Sequence, residues 1–163
     1  MTVPPPLFGL ILAGGMSRRM QTDKAALEIN GKLQLEHAFE LASGLCAKTF
    51  VSVRSDQLAD PLRSRFPTIV DQKDGLGPIG GISSAQAAHP EAAWLVLACD
   101  LPFLNTATLK FLLENRDPSK PATAFISTHD GLPEPLCAVW EPSSREAVAA
   151  WIASGKTCPR KFL

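Results

Sequence analysis

Leu7-Phe8-Gly9-Leu10-Ile11-Leu12 is an apolar run without alternation, and it breaks off at Ala13-Gly14-Gly15. Such a run reads as a strand buried on both faces of a parallel sheet, which commits the rest of the chain to supplying helices for both faces. The two glycines open a loop where the strand delivers its carboxyl end, the edge at which open α/β sheets bind ligands.

The remaining pattern agrees with that layout. From Leu33 to Cys46 the apolar residues Leu35, Ala38, Phe39, Ala42 and Leu45 recur at spacings of three and four, the mark of an amphipathic helix. Lys48 to Val53 and Thr68 to Val70 read as further strands, the second leading to Asp71. Gly75 to Gly81 reads as a glycine-rich loop, followed by a helix from Ile82 to Ala88 that Pro90 stops. Ala92 to Ala98 has the continuous apolar character of a central strand and delivers Cys99 and Asp100 to its carboxyl end. Asn105 is placed to cap a helix to Glu114. Ala122 to Thr128 and Pro135 to Trp140 form a hairpin about Asp130-Gly131, and Ser143 or Ser144 caps a last helix ending near Ser154. The expected architecture is one domain, residues 1–163, as a three-layer α/β/α sandwich with a Rossmann-like, mostly parallel sheet and a late antiparallel hairpin.

Composition narrows the chemistry. Sixteen basic and sixteen acidic residues cancel, so no global field draws the chain to nucleic acid or an anionic membrane, and phosphate binding has to be local. No apolar run reaches the roughly 20 residues of a membrane span, and Met1-Thr2-Val3-Pro4-Pro5-Pro6 does not read as a signal peptide, so a cytoplasmic protein is expected. Cys46, Cys99, Cys137 and Cys158 are scattered, as are His37, His89 and His129. Neither a zinc site nor a histidine relay follows from their spacing, and reduced, mostly buried thiols are expected.

Three constellations carry chemistry. In Leu12-Ala13-Gly14-Gly15-Met16-Ser17-Arg18-Arg19-Met20, followed by Asp23-Lys24, glycines after a strand let backbone N–H groups approach phosphate oxygens, and the arginine and lysine add full charge. Asp71 with Gly77-Pro78-Ile79-Gly80-Gly81-Ile82 clears side chains from a surface against which a base or ribose can lie. Leu97-Ala98-Cys99-Asp100-Leu101-Pro102-Phe103-Leu104 ends a buried strand in a hard carboxylate suited to Mg²⁺. Each has an ordinary structural alternative: a glycine turn with a solvated basic face, a loop-to-helix connection, and a helix cap or ion-pair partner. Gly155-Lys156-Thr157 is no Walker loop, because Ala150 stands where glycine is needed and the stretch follows a helix; Gly155 reads as a helix-ending residue.

In order and spacing these motifs resemble the signature of the molybdenum cofactor guanylyltransferases, MobA-like NTP transferases of the nucleotide-diphospho-sugar-transferase-like superfamily. The first matches Leu-Ala-Gly-Gly-x-Ser-x-Arg-Met then Asp-Lys, with Gln21 where the family often has glycine. The others match its Gly-Pro-Leu-Gly/Ala-Gly and Cys-Asp-x-Pro-Phe elements, and Glu134-Pro135-Leu136-Cys137-Ala138-Val139-Trp140 resembles its Pro-Leu segment on the acceptor side. The resemblance implies transfer of GMP from GTP to the molybdopterin-bound molybdenum cofactor, with release of pyrophosphate. It implies Arg19, Lys24 and Asp100 as catalytic groups, the first two on the phosphates and Asp100 on Mg²⁺ and nucleotide. Leu12, Ala13, Gly14, Gly15, Asp71, Gly77, Pro78 and Gly80 would complete the nucleotide site. Gly14-Gly15 favours GTP, since cytidine-using relatives commonly read Leu-Ala-Ala-Gly. A cytidylyltransferase, a sugar-phosphate nucleotidyltransferase and a non-catalytic nucleotide-binding protein stay open as alternatives. The chain is further expected to be a monomer or weak homo-oligomer. It is also expected to lack the family's usual C-terminal strand and helix with an Asn-x-Asn-Thr-Pro-like element.

Overall fold

The computed structural model describes residues 5–13, 28–29, 31–73, 75–99, 101, 104–127 and 130–163. Strand β1 (Leu7–Leu12) lies at the centre of a six-stranded sheet. It pairs in parallel with β4 (Lys48–Val53) on one side and β6 (Ala93–Ala98) on the other. Strand β5 (Thr68–Val70) adds in parallel to β4, and β8 (Pro133–Trp140) runs antiparallel to both β6 and the edge strand β7 (Ala122–Ile126). The order is therefore β5-β4-β1-β6-β8-β7. A separate two-stranded ribbon, β2 (Glu28–Ile29) with β3 (Lys32–Leu33), was not foreseen; strands of two residues are too short to leave a periodicity.

Both faces of the sheet are covered, which is why β1 and β6 show no polar alternation. Ile11, Val51, Val53, Leu95 and Leu97 point to one core, closed by Leu35, Ala38 and Ala42 of α1 (Gln34–Ser43) and by Leu109 and Leu112 of α3 (Thr106–Glu114). Phe8, Leu10, Ile69, Trp94, Val96 and Trp140 point to the other. That core is closed by Ile79, Ile82 and Ala85 of α2 (Pro78–Ala88) and by Val148 of α4 (Arg145–Ala153). A short α5 (Pro159–Phe162) lays Phe162 against Trp140 and Trp151. The expected three-layer sandwich with its late antiparallel hairpin is the fold observed.

Four boundaries differ from the sequence expectation. Helix α1 ends at Ser43 rather than Cys46, although Leu45 and Cys46 still pack on the core. β7 ends at Ile126, and β8 begins two residues early, at Pro133. Helix α2 starts at Pro78, so Pro78 to Gly81 form its first turn instead of loop. Proline at the first helical position is preorganised for that start, and Gly77 before it takes φ 66° and ψ −150°, a conformation open essentially to glycine alone.

The caps divide similarly. Asn105 caps α3 as expected, its Oδ1 accepting from Thr108 N–H at 2.9 Å. Ser144 makes no cap: its backbone is already helical, and its Oγ donates to Glu141 O and accepts from Gln86 Nε2, both at 2.8 Å. Gly155 follows α4 with φ 86° and ends that helix. None of the four cysteines is in a disulfide; Cys99 is buried, Cys46 and Cys137 are half-buried, and Cys158 is exposed, so the thiols are less uniformly buried than expected. Among the described residues no helix is long and apolar enough to cross a membrane.

Candidate nucleotide site

The strand order places one edge of the sheet apart from the rest. The chain steps outward from β1 to β4 to β5 and then returns to β6 on the far side of β1, so the carboxyl ends of β1 and β6 flank the point where the order reverses. At that edge the end of β1 is held from three directions. Leu12 stands opposite Ser52 of β4 and Ala98 of β6, and its carbonyl accepts from Cys99 N–H at 3.3 Å. Ala13 is buried; its N–H donates to Ser52 O at 3.4 Å and its carbonyl accepts from Arg63 Nε at 2.7 Å.

Asp71 follows β5 at the same edge. Its N–H donates to Val53 O at 2.8 Å, and its carboxylate accepts from the buried Ser52 hydroxyl at 3.1 Å. The next residue is tied to α2, since Gln72 N–H donates to Ser84 Oγ at 2.9 Å. Helix α2 presses against this edge so closely that a Cβ at Gly81 would stand 2.6 Å from Ser52 Oγ and 2.9 Å from Leu12 Cδ2. Its N-terminus, with the positive end of the helix dipole, thus opens beside Leu12, Ser52 and Asp71, an arrangement that favours an anion.

The first two sequence constellations therefore meet in space: Leu12 and Ala13 from one, Asp71, Gly77, Pro78 and Gly80 from the other. Pro78 and Gly80 do so as helix residues rather than loop residues. The third arrives through Cys99, whose N–H binds Leu12 O one residue before Asp100 in the chain. Gly14, Gly15, Arg19, Lys24 and Asp100 themselves lie outside the described residues. The Glu134-to-Trp140 segment is β8, where Cys137 pairs with Leu97 near the end of β6. Its register against β7 shifts between Ala124 and Ile126, and Arg160 of α5 ion-pairs with Asp130 and Glu134 beside it.

Sequence reasoning missed Ser52, Arg63 and Ser84. A serine within an apolar strand and an arginine in a polar connection carry no signal of the partners they find across the fold. His37, given no role, has its Nε2 3.1 Å from Leu104 O. A cavity of about 270 Å³ between α1 and α3, lined by His37, Glu40, Thr106 and Lys110 among others, holds none of the predicted site residues.

Comparison with known proteins agrees with this geometry. Residues 9–163 match the family model of the MobA-like NTP transferase domain. The molybdenum cofactor biosynthesis bifunctional protein of Synechocystis is 33% identical over 97% of the chain, which spans 46% of that protein's length. The molybdenum cofactor guanylyltransferase of Shewanella sp. ANA-3 is 32% identical over 90% of the chain and 75% of its own length. The crystal structure of molybdopterin-guanine dinucleotide biosynthesis protein A from Archaeoglobus fulgidus superposes with TM-score 0.74 at 29% identity, covering 93% of the chain and 75% of that structure. A Mycobacterium tuberculosis protein solved as a manganese complex shares the fold, with TM-score 0.66 at 17% identity over 91% of the chain and 80% of that structure. With its mostly parallel sheet and the family model matched over residues 9–163, this chain belongs to the MobA-like NTP transferase family of nucleotidyltransferases.

Proposed function

We propose that the protein transfers GMP from GTP to the molybdopterin-bound molybdenum cofactor and releases pyrophosphate. The observation that carries this reading is the meeting of the Leu12-Ala13 strand end, the Ser52–Asp71 pair and the N-terminus of α2 at one sheet edge. In the sequence, Ala13 is followed directly by the glycine-rich basic motif from Gly14 to Lys24. The names of the Shewanella and Archaeoglobus relatives support the guanine nucleotide and the pterin acceptor.

In this reaction an oxygen of the acceptor's terminal phosphate forms a bond to the α-phosphorus of GTP. The bond from that phosphorus to the bridging oxygen breaks in line, and pyrophosphate leaves with the electron pair. No protein nucleophile is needed, so catalysis rests on positioning and on neutralising charge. Arg19 and Lys24 would hold the phosphates, while Asp71 and the start of α2 would border the nucleotide. Among the described residues no group of three or more His, Cys, Asp or Glu side chains could hold a metal ion. Asp100, which follows β6 in the sequence, would hold Mg²⁺ together with phosphate oxygens and water, since Mg²⁺ is usually held by one or two carboxylates plus such ligands. When bound, Mg²⁺ would supply charge stabilisation on the phosphates. The setting would be cytoplasmic.

Thermal shifts with GTP, ATP, CTP and UTP in Mg²⁺ test the base, because ligand binding to the native state raises its apparent stability. GTP is expected to give the largest shift, and an equal or larger shift with CTP would overturn the guanine assignment. Pyrophosphate release in the presence of the molybdopterin acceptor separates an enzyme from a binder. Asp100→Asn should keep the fold and sharply weaken Mg²⁺-dependent GTP binding; an unchanged Mg²⁺ dependence removes the metal role.

A further inference from the structure

The connection from β4 to β5 is an open stretch of chain with two 3-10 turns, Ser55–Gln57 and Arg63–Arg65, and most of its polar residues face water. Arg63 does not. Its side chain is 3% exposed, and it reaches back 50 residues to donate Nε–H to Ala13 O at 2.7 Å. On the other side its Nη1 lies 2.9 Å from Asp60 Oδ2, and the same carboxylate oxygen accepts the Arg63 backbone N–H at 3.0 Å. Removing a guanidinium from water is costly, so a buried one carries a fixed geometry for whatever it holds. What it holds here is the last residue before Gly14-Gly15.

We propose that Arg63, braced by Asp60, is a positioning residue for the nucleotide: it fixes the carbonyl of Ala13 and so holds the carboxyl end of β1 beside Ser52, Asp71 and the start of α2. This inference rests on the proposed binding of a nucleoside triphosphate at that edge. A strand end that borders a ligand lowers the ordering cost of binding only if it is held at a fixed point. Ala13 is such a point, with its N–H on Ser52 O and its carbonyl on Arg63. Arg63 touches no reacting atom; it acts through Ala13. If losing the brace leaves this strand end in its binding arrangement about one-tenth of the time, the apparent Kd rises about tenfold, being the intrinsic Kd divided by the binding-competent fraction.

The test is calorimetric titration of GTP with Mg²⁺ into wild type, Arg63→Lys, Arg63→Met and Asp60→Asn, each well below its own melting temperature. Under that condition a loss of global stability does not move Kd, because mass action requires an appreciable unfolded fraction. The expected result is a rise in Kd of about tenfold for Arg63→Met, a smaller rise for Arg63→Lys, which keeps the charge but not the fork, and about threefold for Asp60→Asn. Folded Arg63 variants with Kd within about twofold of wild type overturn the proposal. Should neither fold, a wild-type Kd in Asp60→Asn overturns it. Wild type that binds no nucleoside triphosphate is a separate outcome, and it removes the proposed function itself.

Discussion

Gly81→Ala sets two large effects against each other, and the structure decides which wins. In a helix interior alanine is favoured over glycine by about 1 kcal/mol, so propensity alone makes this substitution stabilising. The added Cβ, however, would lie 2.6 Å from Ser52 Oγ and 2.9 Å from Leu12 Cδ2, well inside contact distance. Both contacts have to give: the Leu12 clash forces the shifts of an overpacked core, at roughly 1–3 kcal/mol, and the Ser52 hydroxyl turns away and gives up its hydrogen bond to Asp71, worth about 1 kcal/mol. Set against the helix-propensity gain of about 1 kcal/mol, these leave a net destabilisation of roughly 1–3 kcal/mol, or a fall in Tm of roughly 3 to 10 °C for a domain of this size. Differential scanning calorimetry measures it, with Gly44→Ala as the control. Gly44 has φ −71° and only ordinary contacts at 3.7 Å, so alanine there should be neutral or mildly stabilising. A Gly81→Ala protein that melts at or above wild type refutes the close packing of α2 on Leu12 and Ser52.

Three further outcomes follow from other parts of the fold. Gly77→Ala meets no atom within 4 Å, so its cost is the backbone alone, about 1–3 kcal/mol, read as a lower urea midpoint with unchanged slope. Arg116→Met leaves the Glu141 carboxylate, 1% exposed, without its bidentate partner, and should cost about 3 kcal/mol or more in the same assay; a loss below about 1 kcal/mol would contradict the buried pair. Burial pushes the thiol of Cys46 up to about 12, and burial together with the nearby Glu134 charge pushes Cys137 up to about 11. Iodoacetamide at pH 8 should therefore modify exposed Cys158 first, and equal rates at all three would refute the shifts. Because both folded values lie above the ordinary thiol value near 9, their contribution to stability is constant below about pH 9 and is lost as pH rises through 9 to 12.

What the sequence made legible depended on whether a residue's role was local. β1 and β6 could be read because strands buried on both faces are apolar throughout, and α3 because Asn105 caps it through its own neighbours. The start of α2 could not, because glycines at 80 and 81 signal a loop by propensity, whereas here Gly81 is small for a tertiary reason, the approach to Leu12 and Ser52. Ser144 failed as a cap for the same kind of reason, its hydroxyl being taken by Gln86 and the Glu141 carbonyl. At the candidate site the motifs marked which segments converge. They did not mark Ser52 or Arg63, whose partners lie 19 and 50 residues away and leave no trace in spacing.

The central place of β1 also governs how this chain is made. Its first neighbour, β4, is complete at Val53, but its second, β6, is not finished until Ala98. During synthesis one long apolar edge of β1 thus waits for about 45 further residues before it can be paired, with its backbone groups and Leu10 and Ile11 lacking their final cover. Parallel pairing across such separations is slow, and an unpaired apolar strand edge is a template for other chains. Truncations that end before β6 should accordingly yield aggregates rather than a smaller folded unit, and the stretch between Val53 and Ala98 is where a nascent chain of this protein most needs protection.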